Sequence, residues 1–62
     1  LGANIAGGVI VNAGVEVGSG ATIIPYKEVG KNSIIGAGSV VVKNIPDDCT
    51  AVGVTAKLIK HH

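Results

Sequence analysis

The sequence predicts an all-β fold, a left-handed parallel β-helix solenoid, on three observations. Aliphatic residues stand at Ile5, Val11, Val17, Ile23, Val29, Ile35 and Val41, every sixth position without an exception. A second register follows four positions after each, at Val9, Val15, Ala21, Lys27, Ser33, Ser39 and Ile45, preceded by Ala3, and only Lys27 in it is neither small nor β-branched. Turn formers separate the registers, among them Ala6-Gly7-Gly8, Asn12-Ala13-Gly14, Gly18-Ser19-Gly20, Gly30-Lys31-Asn32 and Gly36-Ala37-Gly38. Gly and Asn tolerate the positive φ of a tight corner, where a β-branched side chain is strained.

Other folds want other periods. A helix repeats its apolar residues about every 3.6 positions and tolerates Gly and β-branched residues poorly, while a hairpin sheet alternates strictly. A solenoid fits. Each hexapeptide forms one strand of about three residues and a corner, and three hexapeptides close a triangular coil, so that Val17 and Ile35 stack one coil apart. Residues 1–46 then make about two and a half coils, each burying its aliphatic column against the next. The period breaks after Ile45-Pro46, where Asp47-Asp48 signals a turn. Residues 50–54 read as an extended strand leaving the coil. In residues 55–60 a capping Thr55 precedes good helix formers, which predicts a short terminal helix that caps the solenoid or reaches a neighbouring subunit. The terminal strand and helix thus span 47–60, and residues 61–62 read as the remnant of a purification tag. Leu1 reads as an internal position of a longer protein, whose cut edge needs upstream coils to cover it.

Composition excludes several classes. A chain of 62 residues buries only about 60% of the surface its unfolded form exposes, so it needs neighbours. Tyr26 is the single aromatic residue, which leaves Val, Ile, Leu and Ala to build the core. Hydrophobic residues make up 47% and charged residues 15%, with ten glycines, a mixture that suits strands and corners rather than disorder or a helical bundle. The net charge is +1 and the lysines are scattered, so no basic stripe offers itself to a nucleic acid. No apolar run approaches the roughly 18 residues of a membrane span, and the first residues lack the charged and apolar regions of a signal peptide. Cys49 is alone, cannot form an internal disulfide, and reads as a small buried hydrophobe in a reducing, cytoplasmic setting.

The motifs that could carry chemistry have plainer readings. Gly18-Ser19-Gly20 and Gly36-Ala37-Gly38 lack the third glycine and the following helix of a dinucleotide loop. Gly30-Lys31-Asn32 has Asn32 where a phosphate loop needs Ser or Thr. His61 and His62 cannot supply a three-histidine zinc site, so no metal is expected. Asp47-Asp48 beside Pro46 reads as an exposed turn.

The stretches Ile35-Gly36-Ala37-Gly38-Ser39-Val40-Val41, Lys43-Asn44-Ile45-Pro46 and Val52-Gly53-Val54-Thr55-Ala56-Lys57 resemble the C-terminal portion of hexapeptide-repeat acyltransferases, in particular the family of sialic acid O-acetyltransferases and related sugar O- and N-acetyltransferases. Gly2-Ala3-Asn4-Ile5 and Gly18-Ser19-Gly20-Ala21-Thr22-Ile23-Ile24-Pro25 extend the resemblance over nearly all of residues 2–60. It implies a homotrimer of parallel prisms that binds acetyl-CoA between subunits and acetylates a hydroxyl or amine of a sugar or nucleotide sugar. It also implies a histidine base in a coil upstream of Leu1, so no catalytic residue is assigned within this chain. By alignment with the family, Ser19 and Ala37 line the acetyl-CoA groove, and their spacing suits an extended arm running along the solenoid axis. Corner N–H groups near Ser19 are then candidates to bind the thioester oxygen. Lys43 and Lys57 read first as solvated lysines and second as contacts to the CoA phosphates. Two departures stand out: Thr55 replaces the usual proline, and Tyr26-Lys27-Glu28 replaces a Gly-centred corner, which predicts an outward bulge there. The competing classes are a non-enzymatic or engineered solenoid scaffold, an ice-binding solenoid and a zinc-dependent carbonic anhydrase solenoid. The last two want Thr rows or histidines that residues 1–60 lack.

Overall fold

In the computed structural model, which describes residues 2–62, the six-residue period becomes seven short strands. They are β1 (Asn4–Ile5), β2 (Ile10–Val11), β3 (Glu16–Val17), β4 (Thr22–Ile23), β5 (Glu28–Val29), β6 (Ile34–Ile35) and β7 (Val40–Val41), followed by β8 (Cys49–Val52) and β9 (Lys57–His61). The hydrogen-bonded strands are two residues long, one shorter than the spacing predicts, because the corners take the remainder. Leu1, where the sequence suggests a cut edge, lies outside the described residues.

Parallel pairing stacks the strands one coil apart. Asn4 faces Thr22, Ile10 faces Glu28, Glu16 faces Ile34 and Thr22 faces Val40, each partner 18 residues on. The left-handed prism therefore has a first face of β1-β4-β7, a second of β2-β5 and a third of β3-β6-β8-β9. The aliphatic column fills the interior. Ile23, Val29, Ile35 and Val41 are all but inaccessible, and each such side chain contributes about 1.5–3 kcal/mol on burial. Ile5 and Val11, on the upstream end of the column, keep 49% and 41% of their surface exposed.

The corners repeat as regularly as the strands. Positive φ recurs at Gly8, Gly14, Gly20, Tyr26, Asn32 and Gly38, again every sixth residue. Tyr26 thus occupies the glycine position of its corner at φ 62°, and the outward bulge expected at Tyr26-Lys27-Glu28 does not occur. Its N–H donates to the Gly7 carbonyl at 3.1 Å, and Glu28 keeps its pairing with Ile10. The neighbouring coil imposes the corner on a residue that dislikes it, at a cost of about 1–2 kcal/mol. The Tyr26 ring lies over Gly8, where a Cβ would stand 2.4 Å from it.

After Val41 the coil contracts. Ile45 bridges to Val29 and Thr50 pairs with Ile34, both 16 residues on, and Val54 bridges to Val40, 14 residues on. Two expectations are corrected here. Ile45 does not continue the second register above Lys27 but joins the column of Val29, with 6% exposure. Residues 50–54 do not leave the coil, since β8 is the third layer of the third face. Side chains take over main-chain hydrogen bonds where the register shortens. Glu28 N–H donates to Asn44 Oδ1 at 2.9 Å and Lys31 N–H to Asp47 Oδ1 at 2.7 Å. Inside, buried Ser33 donates to the Pro46 carbonyl at 2.6 Å and accepts from Cys49 N–H at 3.2 Å, while Ser39 Oγ accepts from Gly53 N–H at 3.0 Å.

The terminal helix expected over residues 55–60 is likewise replaced by β9, which runs antiparallel to β8 and pairs Val52 with Lys57 and Cys49 with His61. The helix propensity of these residues is worth only tenths of a kcal/mol each, whereas the open edge of β8 presents a row of unpaired backbone groups. His61 belongs to β9, and His62 N–H donates to the Asp48 carbonyl at 2.6 Å.

Candidate cofactor-binding corner

The corner between the third and first faces is built from Gly18-Ser19-Gly20 below and Gly36-Ala37-Gly38 above. Gly38 N–H donates to the Ser19 carbonyl at 2.9 Å, and Gly18 N–H to the Ile35 carbonyl at 2.8 Å, so the two turns are bonded directly one on the other. Gly18 has no room for a side chain, because a Cβ there would lie 2.4 Å from the Ala37 nitrogen. Gly20 and Gly38 turn the chain at φ 74° and 72°. Ser19 and Ala37 are both exposed. The structure therefore brings the two sequence-predicted residues together on a backbone ledge that runs along the solenoid axis.

The ledge ends one coil higher. A Cβ on Gly36 would meet Val52 Cγ1 at 2.6 Å, so a branched side chain stands where the small residues stop.

The remaining candidates have structural roles. Asp47 receives the Lys31 N–H, and Asp48 takes a corner at φ 57° with its N–H donating to the Lys31 carbonyl at 2.8 Å. Cys49 is buried. Lys43 and Lys57 are exposed, as are His61 and His62 at the β9 end of the solenoid. Among the described residues no group of three or more His, Cys, Asp or Glu could hold a metal ion. No helix among them is long and apolar enough to cross a membrane. On the second face, Asn12 Nδ2 donates to Glu28 Oε2 at 3.0 Å and to the Val29 carbonyl at 2.8 Å, tying adjacent coils together. Sequence reasoning missed Asn44, Ser33 and Ser39 as shapers of the upper coil. Two of these carried a signal, since a hydroxyl in an inward register must find a partner.

No protein-family model matches the chain. It is 51% identical over 49 residues to the serine acetyltransferase of Buchnera aphidicola subsp. Acyrthosiphon pisum, a match that covers 79% of this chain and 18% of that protein. Its fold superposes with a TM-score of 0.92 and 43% identity on the perosamine N-acetyltransferase PerB of Caulobacter crescentus in complex with CoA and GDP-perosamine, covering 94% of this chain and 28% of that one. A galactoside acetyltransferase in complex with coenzyme A matches with a TM-score of 0.84 and 40% identity over 86% of this chain and 26% of its own. The chain thus spans less than a third of the length of the relatives it matches.

Proposed function

We propose that the chain belongs to the hexapeptide-repeat acyltransferases and is the C-terminal portion of an acetyl-CoA-dependent enzyme that acetylates a hydroxyl or amine of a sugar or nucleotide sugar. The observation that carries this reading is the stacked corner of Ser19 and Ala37. The ledge is narrow, exposed and lined by small residues, which fits an extended pantetheine arm that needs backbone partners along its length rather than a deep pocket. Acetyl-CoA supplies the activated thioester. The part of this chain is to hold and align it: Gly18, Gly20 and Ala21 donate their N–H groups within the chain, so the Ser19 N–H is the candidate donor to its carbonyl oxygen, where it favours developing negative charge. The CoA-bound relatives of the same fold support the choice of donor, and the perosamine and galactoside enzymes support a sugar acceptor.

Residues 1–60 contain no histidine. The base that removes the acceptor proton therefore comes from another part of a longer protein, which assembles as a homotrimer in the cytoplasm with the cofactor between subunits. Two measurements test this reading. Calorimetric titration of acetyl-CoA into the trimeric protein should show affinity lost on Ala37→Leu with an unchanged thermal melt; an unchanged affinity in a stable variant places the cofactor elsewhere. The 62-residue chain should release no thiol from acetyl-CoA in the presence of amino sugars, and turnover that survives deletion of His61 and His62 contradicts an external base.

A further inference from the structure

The longest strand of the molecule is one with a free side. β9 runs for five residues, against two in each of β1 to β7 and four in β8, and it ends the third sheet in the order β3-β6-β8-β9. All of its residues are exposed. An edge strand presents a row of unpaired N–H and C=O groups, and proteins commonly keep such strands short. The two surfaces of β9 differ in chemistry. Cross-strand partners project to the same side of a sheet. Leu58 is paired with buried Ala51 and so looks inward at the end of the prism, where it keeps 51% of its surface exposed. Lys57 is paired with Val52 and Lys60 with Thr50, the outward residues of β8. The register shift between Thr50 and Ala51 makes Ile59 an extra residue, so the two lysines share the outward side although they are three apart. No Asp or Glu follows Asp48, and the acid of the third face, Glu16 on β3, is separated from β9 by β6 and β8.

We infer that the free side of β9 takes up an extended acidic peptide as a fifth strand of the third sheet, with acidic residues beside Lys57 and Lys60 and an apolar residue between them beside Leu58. In strand addition the main-chain hydrogen bonds supply affinity, and alternate side chains select the sequence. Here the alternation is basic outward and apolar inward, so the complementary strand alternates acidic and apolar residues. A second copy of β9 lacks that complement. It would bring two further lysines to a strand that carries no acid, and like charges on neighbouring strands are destabilising. The lysines thus discourage self-pairing of a long edge while leaving it open to an acidic partner.

The probe is an acetylated, amidated peptide of alternating Glu and Val, titrated into the isotope-labelled chain at neutral pH and low ionic strength and followed by nuclear magnetic resonance. Amide signals of residues 57–61 should shift, and N–H groups of β9 should gain protection from hydrogen exchange. Lys57→Glu combined with Lys60→Glu should weaken binding of this peptide about tenfold or more and admit a Lys-Val peptide of the same length. The Glu-Val peptide N-methylated at alternate residues keeps its charge but loses main-chain donors, and should leave β9 unprotected. Circular dichroism melts check each fold, and Lys57→Gln with Lys60→Gln, expected to weaken binding by a smaller factor, replaces the charge reversal if that variant unfolds. The inference is overturned if the peptide shifts nothing up to millimolar concentration, or shifts residues outside β8 and β9. It is equally overturned if the N-methylated peptide protects β9 as well as its parent, if the lysine variants bind unchanged, or if β9 is protected without peptide in proportion to protein concentration. Acetyl-CoA is absent from the assay, so the result stands apart from the proposed function.

Discussion

Replacing Ser33 with Ala tests the account of how the solenoid contracts. Ser33 is fully buried, donates to the Pro46 carbonyl at 2.6 Å and accepts from the Cys49 N–H at 3.2 Å. Alanine fits the space but leaves both groups without this partner. The Cys49 N–H sits in the interior and meets the full desolvation penalty of about 1–3 kcal/mol, whereas the carbonyl of exposed Pro46 can turn to water and loses about 0.5–1.5 kcal/mol. We expect a loss of about 2–3 kcal/mol, from a total that for a chain of this size is roughly 3–9 kcal/mol. In thermal unfolding that is a fall in Tm of roughly 10–20 °C. Urea denaturation followed by circular dichroism gives the free energy directly, with Ser19→Ala, an exposed serine, as the control expected to stay within about 0.5 kcal/mol. A Ser33→Ala chain that is as stable as this control refutes the idea that buried hydroxyls hold the shortened coil.

Two further perturbations probe the corner and the cap. Gly18→Ala should cost more than about 3 kcal/mol, because its Cβ would meet the backbone of Ala37, while Gly2→Ala, with nothing within 4 Å, should be tolerated; urea denaturation of both decides it. Truncation after Ala56 removes β9 and bares the edge of β8, so light scattering should reveal larger species; a truncated chain with unaltered scattering shows that β9 does not protect the edge.

The regular coils were legible in the sequence because each hexapeptide repeats one environment. Ile23, Val29, Ile35 and Val41 read as inward residues and are buried, and the spacing of Ser19 and Ala37 placed them on one corner. The contraction after Val41 was not legible from spacing, since spacing extrapolates a register and cannot announce its change. What changes it is a set of hydrogen bonds between residues 13 to 16 apart, through Asn44, Asp47, Ser33 and Ser39. The tail failed for a related reason: residues 57–60 carry a weak local preference for helix, and the decisive partner is the edge of β8. Tyr26 shows the reverse case. A locally unfavourable residue suggested a bulge, yet paired strands on both sides of the corner held the register.

The same contraction that closes the solenoid also limits the candidate site. Were the 18-residue spacing of the first coils kept, Val54 would stack on Gly36 and Thr55 on Ala37. Instead the 16-residue step between Ile34 and Thr50 brings Val52 over Gly36, with Cγ1 2.6 Å from where a Cβ would be. Among the described residues the small-residue ledge is therefore two turns tall, and Val52 limits it on the β8 side. An extended arm laid along Ser19 and Ala37 would meet the Val52 side chain at its β8 end, so that Val52→Gly would lengthen the ledge.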